Sequence, residues 1–209
     1  MFITFEGIDF CGKSTQVELL RNYLVAQNNK VEIIREPGGT EISETVRSVL
    51  LDKKHNKMFM ETEIFLFSAS RAQLVREKIR PFLKQGFYVI SDRFHDSTTA
   101  YQGYGRGIDH ETVRHINKLA IDEAIPDLTF IIDITVEVAN ERKANKENLD
   151  LDRMELSGNP FFEKVRNGYL EMANMEDRFR VIDGTLSPEI IHDKIIEEIN
   201  SLTRGNRAN

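Results

Sequence analysis

Short apolar runs alternate along this chain with longer stretches in which apolar residues recur at helical spacing. Five runs have the pattern of buried strands: Phe2–Phe5, Val31–Ile34, Phe87–Ser91, Leu128–Asp133 and Arg180–Ile182. The remaining stretches with an apolar face predict helices over 13–28, 41–51, 61–84, 109–124, 135–145, 160–174 and 188–202. This alternation predicts a mostly parallel sheet covered on both faces, with ligands bound beyond the carboxyl ends of its strands.

The length of 209 residues is that of one ordinary domain, which we place at residues 1–203. The stretch 143–152 is strongly polar and predicts a mobile loop. The last residues, 204–209, are predicted to form a disordered tail.

Charge and cysteine content exclude several classes of protein. A net charge of −6 gives no general attraction to nucleic acid or to anionic lipid, so we expect neither as a partner. The single cysteine cannot form an internal disulfide, which is typical of a reducing cytosol. Without a basic leader or an 18-residue apolar run, the sequence predicts a cytoplasmic protein that does not span a membrane.

The segment from Gly7 to Ser14 reads G-x-x-x-x-G-K-S and lies between a predicted strand and a predicted helix. Such a turn directs several backbone N–H groups at one point, where phosphates bind. Lys13 can reach the β- and γ-phosphates, and the Ser14 hydroxyl can bind Mg²⁺. The motif therefore predicts a nucleoside triphosphate site.

Three further stretches follow predicted strands or close the polar loop: Arg-Glu-Pro-Gly-Gly-Thr at 35–40, Asp-Arg-Phe-His-Asp-Ser-Thr-Thr-Ala-Tyr-Gln-Gly at 92–103, and Asp-Arg-Met-Glu at 152–155. Together with the phosphate loop, they resemble the bacterial thymidylate kinases from residue 1 to about residue 200. A guanine-reading N-K-x-D motif of GTPases is absent from the sequence, because neither Asn-Lys pair continues in that way.

This resemblance implies a three-layer α/β/α P-loop NTPase fold, with a five-stranded parallel sheet and a short lid at about 142–155. It also implies a homodimer that uses ATP and Mg²⁺ to phosphorylate dTMP to dTDP, in the dTTP biosynthesis pathway. The implied ATP-binding residues are Gly7, Ile8, Asp9, Phe10, Cys11, Gly12, Lys13, Ser14, Thr15 and Arg142. The implied dTMP-binding residues are Asp9, Pro37, Arg47, Phe67, Arg71, Arg93, Ser97, Thr98, Tyr101 and Gln102.

The acceptor phosphate of a nucleotide is largely a dianion at neutral pH, so its oxygen needs no general base. Catalysis should instead use cations that bring two polyanions together. Lys13 and Arg93 are the expected catalytic cations, and the metal should be held by Ser14 and Asp92. Asp133 is a rival metal carboxylate, with a purely structural role at its strand end as the alternative.

Resemblance to the family assigns individual roles in the acceptor pocket. Phe67 would stack on thymine and Arg71 would donate to a base carbonyl, although taken alone they would be read as a core residue and a surface charge. Tyr101 would crowd the sugar 2′ position, and Asp9 would read the 3′-hydroxyl. Arg47 would lie near the acceptor phosphate, with an exposed helix charge as its alternative.

Some relatives carry a transition-state arginine in the phosphate loop, where this chain has Phe10. The cation should therefore come from the lid, and the candidates are Arg142, Lys143, Lys146 and Arg153. We favour Arg153, because it lies in the most recognisable lid stretch, while Arg142 can instead cover the adenine with residues 183–185. Cys11 is interpreted as a small filler, with a reactive thiol as the alternative.

Two other functions stay open on the sequence alone. One is a kinase for another nucleoside or nucleotide. The other is a nucleotide-sensing module without catalysis.

Overall fold

The structure, a computed structural model, describes residues 1–146 and 151–205. Within them a single parallel sheet has five strands: β1 (Phe2–Glu6), β2 (Val31–Arg35), β3 (Tyr88–Asp92), β4 (Leu128–Asp133) and β5 (Phe179–Asp183). Their spatial order is β2-β3-β1-β4-β5, and every neighbouring pair is parallel. The five predicted strands are confirmed to within one residue at each end.

Helices connect these strands and cover both faces of the sheet, which confirms the predicted three-layer class. They are α1 (Lys13–Ala26), α2 (Glu41–Leu51), α3 (Met60–Leu74), α4 (Arg80–Lys84), α5 (His95–Thr98), α6 (His110–Ile121), α7 (Val136–Ala144), α8 (Asn159–Ala173) and α9 (Pro188–Gly205). A short 3₁₀ turn spans Lys53–His55. π-helical segments at Val75–Ile79 and Thr99–Gly105 join α3 to α4 and continue α5.

The sheet buries apolar side chains in two clusters. Ile3, Leu20 and Phe130 belong to the larger one, together with the inner faces of α8 and α9. Phe2 and Val89 belong to the smaller one. All five residues of β1 are buried, so the phosphate loop directly follows a fully buried central strand.

Two predicted segments extend partly beyond the described residues. Helix α9 continues to Gly205, two residues past the predicted domain boundary, and residues 206–209 of the predicted tail lie outside the description. Residues 147–150 of the predicted lid also lie outside it. No helix in the described ranges is long and apolar enough to cross a membrane.

Candidate active site

A cleft of about 730 Å³ opens beyond the carboxyl ends of β1, β2 and β3. It brings together nearly all of the predicted binding residues. Those that line it are Asp9, Phe10, Cys11, Gly12, Lys13, Ser14, Thr15, Pro37, Arg47, Phe67, Arg71, Asp92, Arg93, Ser97, Thr98, Tyr101, Gln102 and Arg142. The other two, Gly7 and Ile8, lie in the phosphate loop, where their carbonyl oxygens accept from Lys13 Nζ at 3.1 and 2.9 Å.

The phosphate loop is shaped by backbone that only glycine adopts easily. Gly7 has φ +133°, and a Cβ built there would lie 2.5 Å from the carbonyl oxygen of Ile132 in β4. Gly12, with φ +103°, precedes α1, and no side chain in the described chain caps that helix start. The first amides of α1 are therefore free for an anion, which the helix dipole also attracts.

Ser14 and Asp92, the two residues expected to bind the metal through oxygen atoms, lie close together beside this loop. Ser14 Oγ donates to Asp92 Oδ2 at 2.7 Å, and both residues line the cleft. Over residues 1–146 and 151–205 no cluster of three or more His, Cys, Asp or Glu could hold a metal by itself. A hydroxyl and one carboxylate, completed by phosphate and water oxygens, fit Mg²⁺, which keeps several waters when it binds proteins.

Asp133, the rival metal carboxylate, is not among the described residues that line the cleft. It forms a bidentate ion pair with Arg166 of α8, at 2.7 and 2.8 Å. Such a fork-to-carboxylate geometry commits both oxygens and ties β4 to α8.

Arg93 is held rigidly at the end of β3, in the left-handed conformation with φ +70°. Its Nη2 donates to Asp9 Oδ1 at 2.6 Å and to the Tyr101 hydroxyl at 3.0 Å, and its Nη1 donates to the Gly7 carbonyl at 3.0 Å. Burial would raise the pKa of Asp9, but Arg93 and Lys13 together hold that pKa below its ordinary value. The arginine is thus fixed beside the phosphate loop while fully charged.

The buried carboxylate of Glu6, which was not among the predicted site residues, lies next to Arg93 and its partners. Glu6 accepts from the Phe94 backbone N–H at 2.8 Å, from Ser97 Oγ at 2.6 Å and from the Tyr169 hydroxyl at 2.8 Å. Burial, reinforced by Asp96, raises the pKa of Glu6 to about 7. A glutamate at the end of a mostly apolar strand was the available signal in the sequence, whereas no local pattern indicated Tyr169.

Phe67 and Arg71 lie one turn apart on α3, and both line the cleft. Arg71 is only 2% exposed, which excludes the alternative of a surface charge. Its guanidinium donates to Glu36 Oε2 at 2.7 Å, to Thr98 Oγ1 at 2.9 Å and to the Phe94 carbonyl at 3.1 Å. Glu36, another cleft residue missed in the sequence, has its pKa raised by burial, even though Arg71 opposes that shift.

Arg47 and Gln102, two further residues predicted for the acceptor side, also line the cleft. Arg47 Nη1 donates to the Pro37 carbonyl at 2.6 Å, so this arginine is directed at the 35–40 loop and is not a free helix charge. Gln102 Nε2 donates to Glu63 Oε1 at 2.9 Å.

The four candidate lid cations occupy different places. Arg142 donates to the carbonyls of Phe10 at 3.2 Å and Gly184 at 2.7 Å, which joins the phosphate loop to the turn after β5. Lys146 also lines the cleft, with Nζ 5.2 Å from the centre of the Phe10 ring. Lys143 Nζ donates to the Glu155 carbonyl at 3.3 Å.

Arg153, the favoured catalytic candidate, is not among the described residues that line the cleft. Its Nη1 donates to Glu63 Oε2 at 2.6 Å, and its Nε donates to the Leu50 carbonyl at 2.8 Å. The physical reason is the buried Glu63 carboxylate, which pairs with the guanidinium and holds it away from the cleft lining.

Cys11 and His95 expose little of their side chains. Cys11 is 1% exposed, which agrees with its interpretation as a small filler. His95 is largely covered, with its side chain 12% exposed, and in the described part of the chain it is not among the residues that line the cleft.

The fold and this cleft define a class: a P-loop kinase with a triphosphate site and, facing it, an arginine-bearing pocket for a small acceptor. A family model described as thymidylate kinase matches residues 5–195. The chain is 50% identical over 202 residues to a thymidylate kinase of Thermosipho africanus, covering 97% of this chain and 96% of that protein. It is 49% identical to one of Prosthecochloris aestuarii, covering 96% and 93%.

A solved structure of thymidylate kinase from Ehrlichia chaffeensis has the same fold. The TM-score is 0.77 at 38% identity, and the alignment covers 96% of this chain and 98% of that one. The chain belongs to the thymidylate kinase family, as its motifs predicted.

Proposed function

We propose that this protein transfers the γ-phosphoryl group of ATP to dTMP, giving ADP and dTDP for dTTP synthesis. The observation that carries the proposal is that one cleft contains both the phosphate loop and Arg93, joined through the 2.6 Å ion pair with Asp9. Membership of the thymidylate kinase family supports thymine as the acceptor base.

On the donor side, the amides of the phosphate loop and Lys13 hold the phosphates. Arg142 and the turn at Gly184 flank the space for the adenine. Ser14 and Asp92 would hold Mg²⁺, which would supply positive charge to offset that of the phosphates. These side chains neutralise charge and align the donor, and none of them needs to move a proton.

On the acceptor side, Arg93 and Arg47 are the groups that would bind the dTMP phosphate. The planar fork of arginine suits a pair of phosphate oxygens. Phe67 provides a flat face for the base, with Arg71, Ser97, Thr98 and Gln102 as the polar groups around it. Tyr101 closes the side that a 2′-hydroxyl would occupy, and Asp9 accepts from the 3′-hydroxyl.

The homodimer expected from the family is also part of this proposal. Two neighbouring helices carry large apolar side chains that one chain leaves exposed: Phe65 on α3, 61% exposed, and Leu119 on α6, 78% exposed. We assign this face to a second copy of the chain.

The test is ADP release with dTMP, compared with dUMP, dCMP, dGMP and thymidine as acceptors. We expect dTMP to be preferred, and Arg93→Ala to lower kcat/KM for dTMP about a thousandfold, because a charge-assisted phosphate contact is lost. Arg180→Ala is the matched control, since Arg180 pairs with Glu198 and lies outside the cleft. Normal turnover by Arg93→Ala would show that the acceptor site is misplaced, and no turnover of any acceptor would favour a sensing module.

A further inference from the structure

Glu63, in the first turn of α3, is a buried carboxylate that no proposed step of the reaction uses. It is 1% exposed, and three side chains donate to it. Gln102 Nε2 lies at 2.9 Å, Arg106 Nε at 3.1 Å and Arg153 Nη1 at 2.6 Å. Burial would raise the pKa of Glu63, but these three donors hold it below its ordinary value, so the group is a carboxylate at neutral pH.

These three donors come from two parts of the molecule. Gln102 lines the cleft on the acceptor side, and Arg106 follows the same π-helical segment. Arg153 belongs to the described end of the lid, residues 151–157, which we call the lid arm. Glu63 is therefore the point at which the lid arm is joined to a wall of the acceptor pocket.

Backbone contacts fix the lid arm in one register. The Arg153 N–H donates to the Leu51 carbonyl at 3.1 Å, and the Arg153 side chain donates to the Leu50 carbonyl. Asp152 Oδ1 accepts from the next amides, those of Met154 at 2.8 Å and Glu155 at 2.9 Å. The turn is thus closed on itself and docked on the end of α2.

This register places Met154 in the cleft wall. Met154 is buried and belongs to the apolar cluster against which Leu51 and Phe67 pack, and all three residues line the cleft. Arg106 Nη2 lies 3.7 Å from the Met154 sulfur. One carboxylate therefore sets both a polar group, Gln102, and an apolar group, Met154, around the space assigned to the acceptor.

We propose that Glu63 is a positioning residue that fastens the lid arm to the acceptor pocket, and that Arg153 acts through Glu63 as its anchor. Arg153 then contributes to acceptor binding and not to a contact with the transferring phosphoryl group. This inference rests on the proposed function, because it concerns the dTMP end of the same cleft.

The experiment compares steady-state constants of Glu63→Gln, Arg153→Ala and the double variant. We expect each single variant to raise KM for dTMP about tenfold while KM for ATP changes less than about twofold. The double variant should be no worse than Glu63→Gln, because both changes break the same link. If Arg153 contacts the phosphoryl group, Arg153→Ala will lower kcat with KM for dTMP unchanged, and the losses will multiply; either outcome overturns the inference.

Two further variants separate positioning from general loss of an ion pair. Asp133→Asn breaks a comparable pair with Arg166 outside the cleft, and KM for dTMP should stay that of the wild type. Arg153→Lys keeps a charge beside Glu63 and should recover part of the dTMP affinity lost in Arg153→Ala. If Glu63→Gln does not fold, the two variants Arg153→Ala and Arg153→Lys provide the test, because an unchanged KM for dTMP in Arg153→Ala overturns the inference.

The two proposals fail in different ways. If the wild type is active and all variants have its kcat and KM values, only this inference is wrong. If the wild type is inactive, the proposed function is wrong.

Discussion

At the scale of single residues, His95 shows how the fold changes the chemistry of a group without using it for catalysis. Its side chain is only 12% exposed, Nδ1 lies 3.3 Å from Asp96 Oδ1, and the buried Nε2 has no hydrogen-bond partner among the described residues. Burial lowers the pKa of His95 to about 4, and Arg178 and Arg71 reinforce this against the opposing charge of Asp96. The folded protein therefore keeps this imidazole neutral where an unfolded chain would protonate it.

This difference makes stability depend on pH. Between pH 6.5 and pH 4 the unfolded state binds a proton that the folded state refuses, so the free energy of unfolding falls as the pH falls. From pH 6.5 to pH 5 we expect His95 alone to account for a loss of about 1.5 kcal/mol. Urea titrations of the wild type and of His95→Gln measure it.

His115→Gln is the control for this prediction, because His115 lies exposed on α6. It should keep the pH dependence of the wild type. A His95→Gln variant that loses stability between pH 6.5 and 5 as steeply as the wild type would contradict the prediction.

The partners of buried charged residues could not be predicted from the sequence. Resemblance to the family located Arg71 and Arg93 in the site, but the positions of these arginines along the sequence do not reveal their hydrogen-bond partners. The carboxylates Glu6, Glu36 and Glu63 are separated in sequence from the groups they bind. Their roles arise only when strands and helices pack, so a periodicity argument has no access to them.

At the scale of elements, the turn from β1 to α1 depends on the absence of a side chain at Gly7. The carbonyl oxygen of Ile132 occupies the space that a Cβ would need, so the neighbouring strand β4 approaches the loop closely. Gly86 also has a positive φ, of +79°, but no heavy atom lies within 4 Å of its built Cβ. Substituting alanine at Gly86 therefore tests the cost of the backbone conformation alone, whereas alanine at Gly7 adds the cost of a clash.

We expect Gly86→Ala to lower the free energy of unfolding by about 1 kcal/mol, the cost of a left-handed conformation for alanine. Gly7→Ala should cost about 3 kcal/mol or more, because backbone atoms of the phosphate loop or of β4 must also shift. Chemical denaturation followed by circular dichroism gives both values. Equal losses in the two variants would mean that the clash at Gly7 is relieved at no cost.

Regular elements with strong apolar patterns were predicted well, and α5 with its π-helical continuation was not. Residues 95–105 contain small polar residues and two glycines, which give no helical period. Their helix is fixed by tertiary contacts: Gly105 lies against Phe161 of α8, where a Cβ would come within 2.6 Å of its ring. Packing of this kind overrides local propensity, so the sequence pattern could not supply it.

At the scale of the whole molecule, the proposed dimer makes the exposed face of α3 and α6 a contact between two chains. Leu119→Glu or Phe65→Glu would bury a charge at the contact, and we expect either to convert a dimer into a monomer. Sedimentation equilibrium measures the mass, which should be twice that of one 24.1 kDa chain in the wild type.

Val25→Glu is the control for the dimer, because Val25 is comparably exposed but lies on α1. It should leave the dimer intact. A wild type that sediments as a single chain at micromolar concentration would exclude the second copy from this face.

The central position of β1 also constrains how the protein is made. In the described sheet, β1 pairs only with β3 and β4, and β2 pairs only with β3, so neither early strand has a partner before residue 88 is synthesised. At about 5–20 residues per second a ribosome takes roughly 3–11 s to proceed from β2 to β3. During those seconds two apolar strands stand unpaired on the nascent chain, which makes this stretch a natural target for chaperones that shield emerging polypeptides.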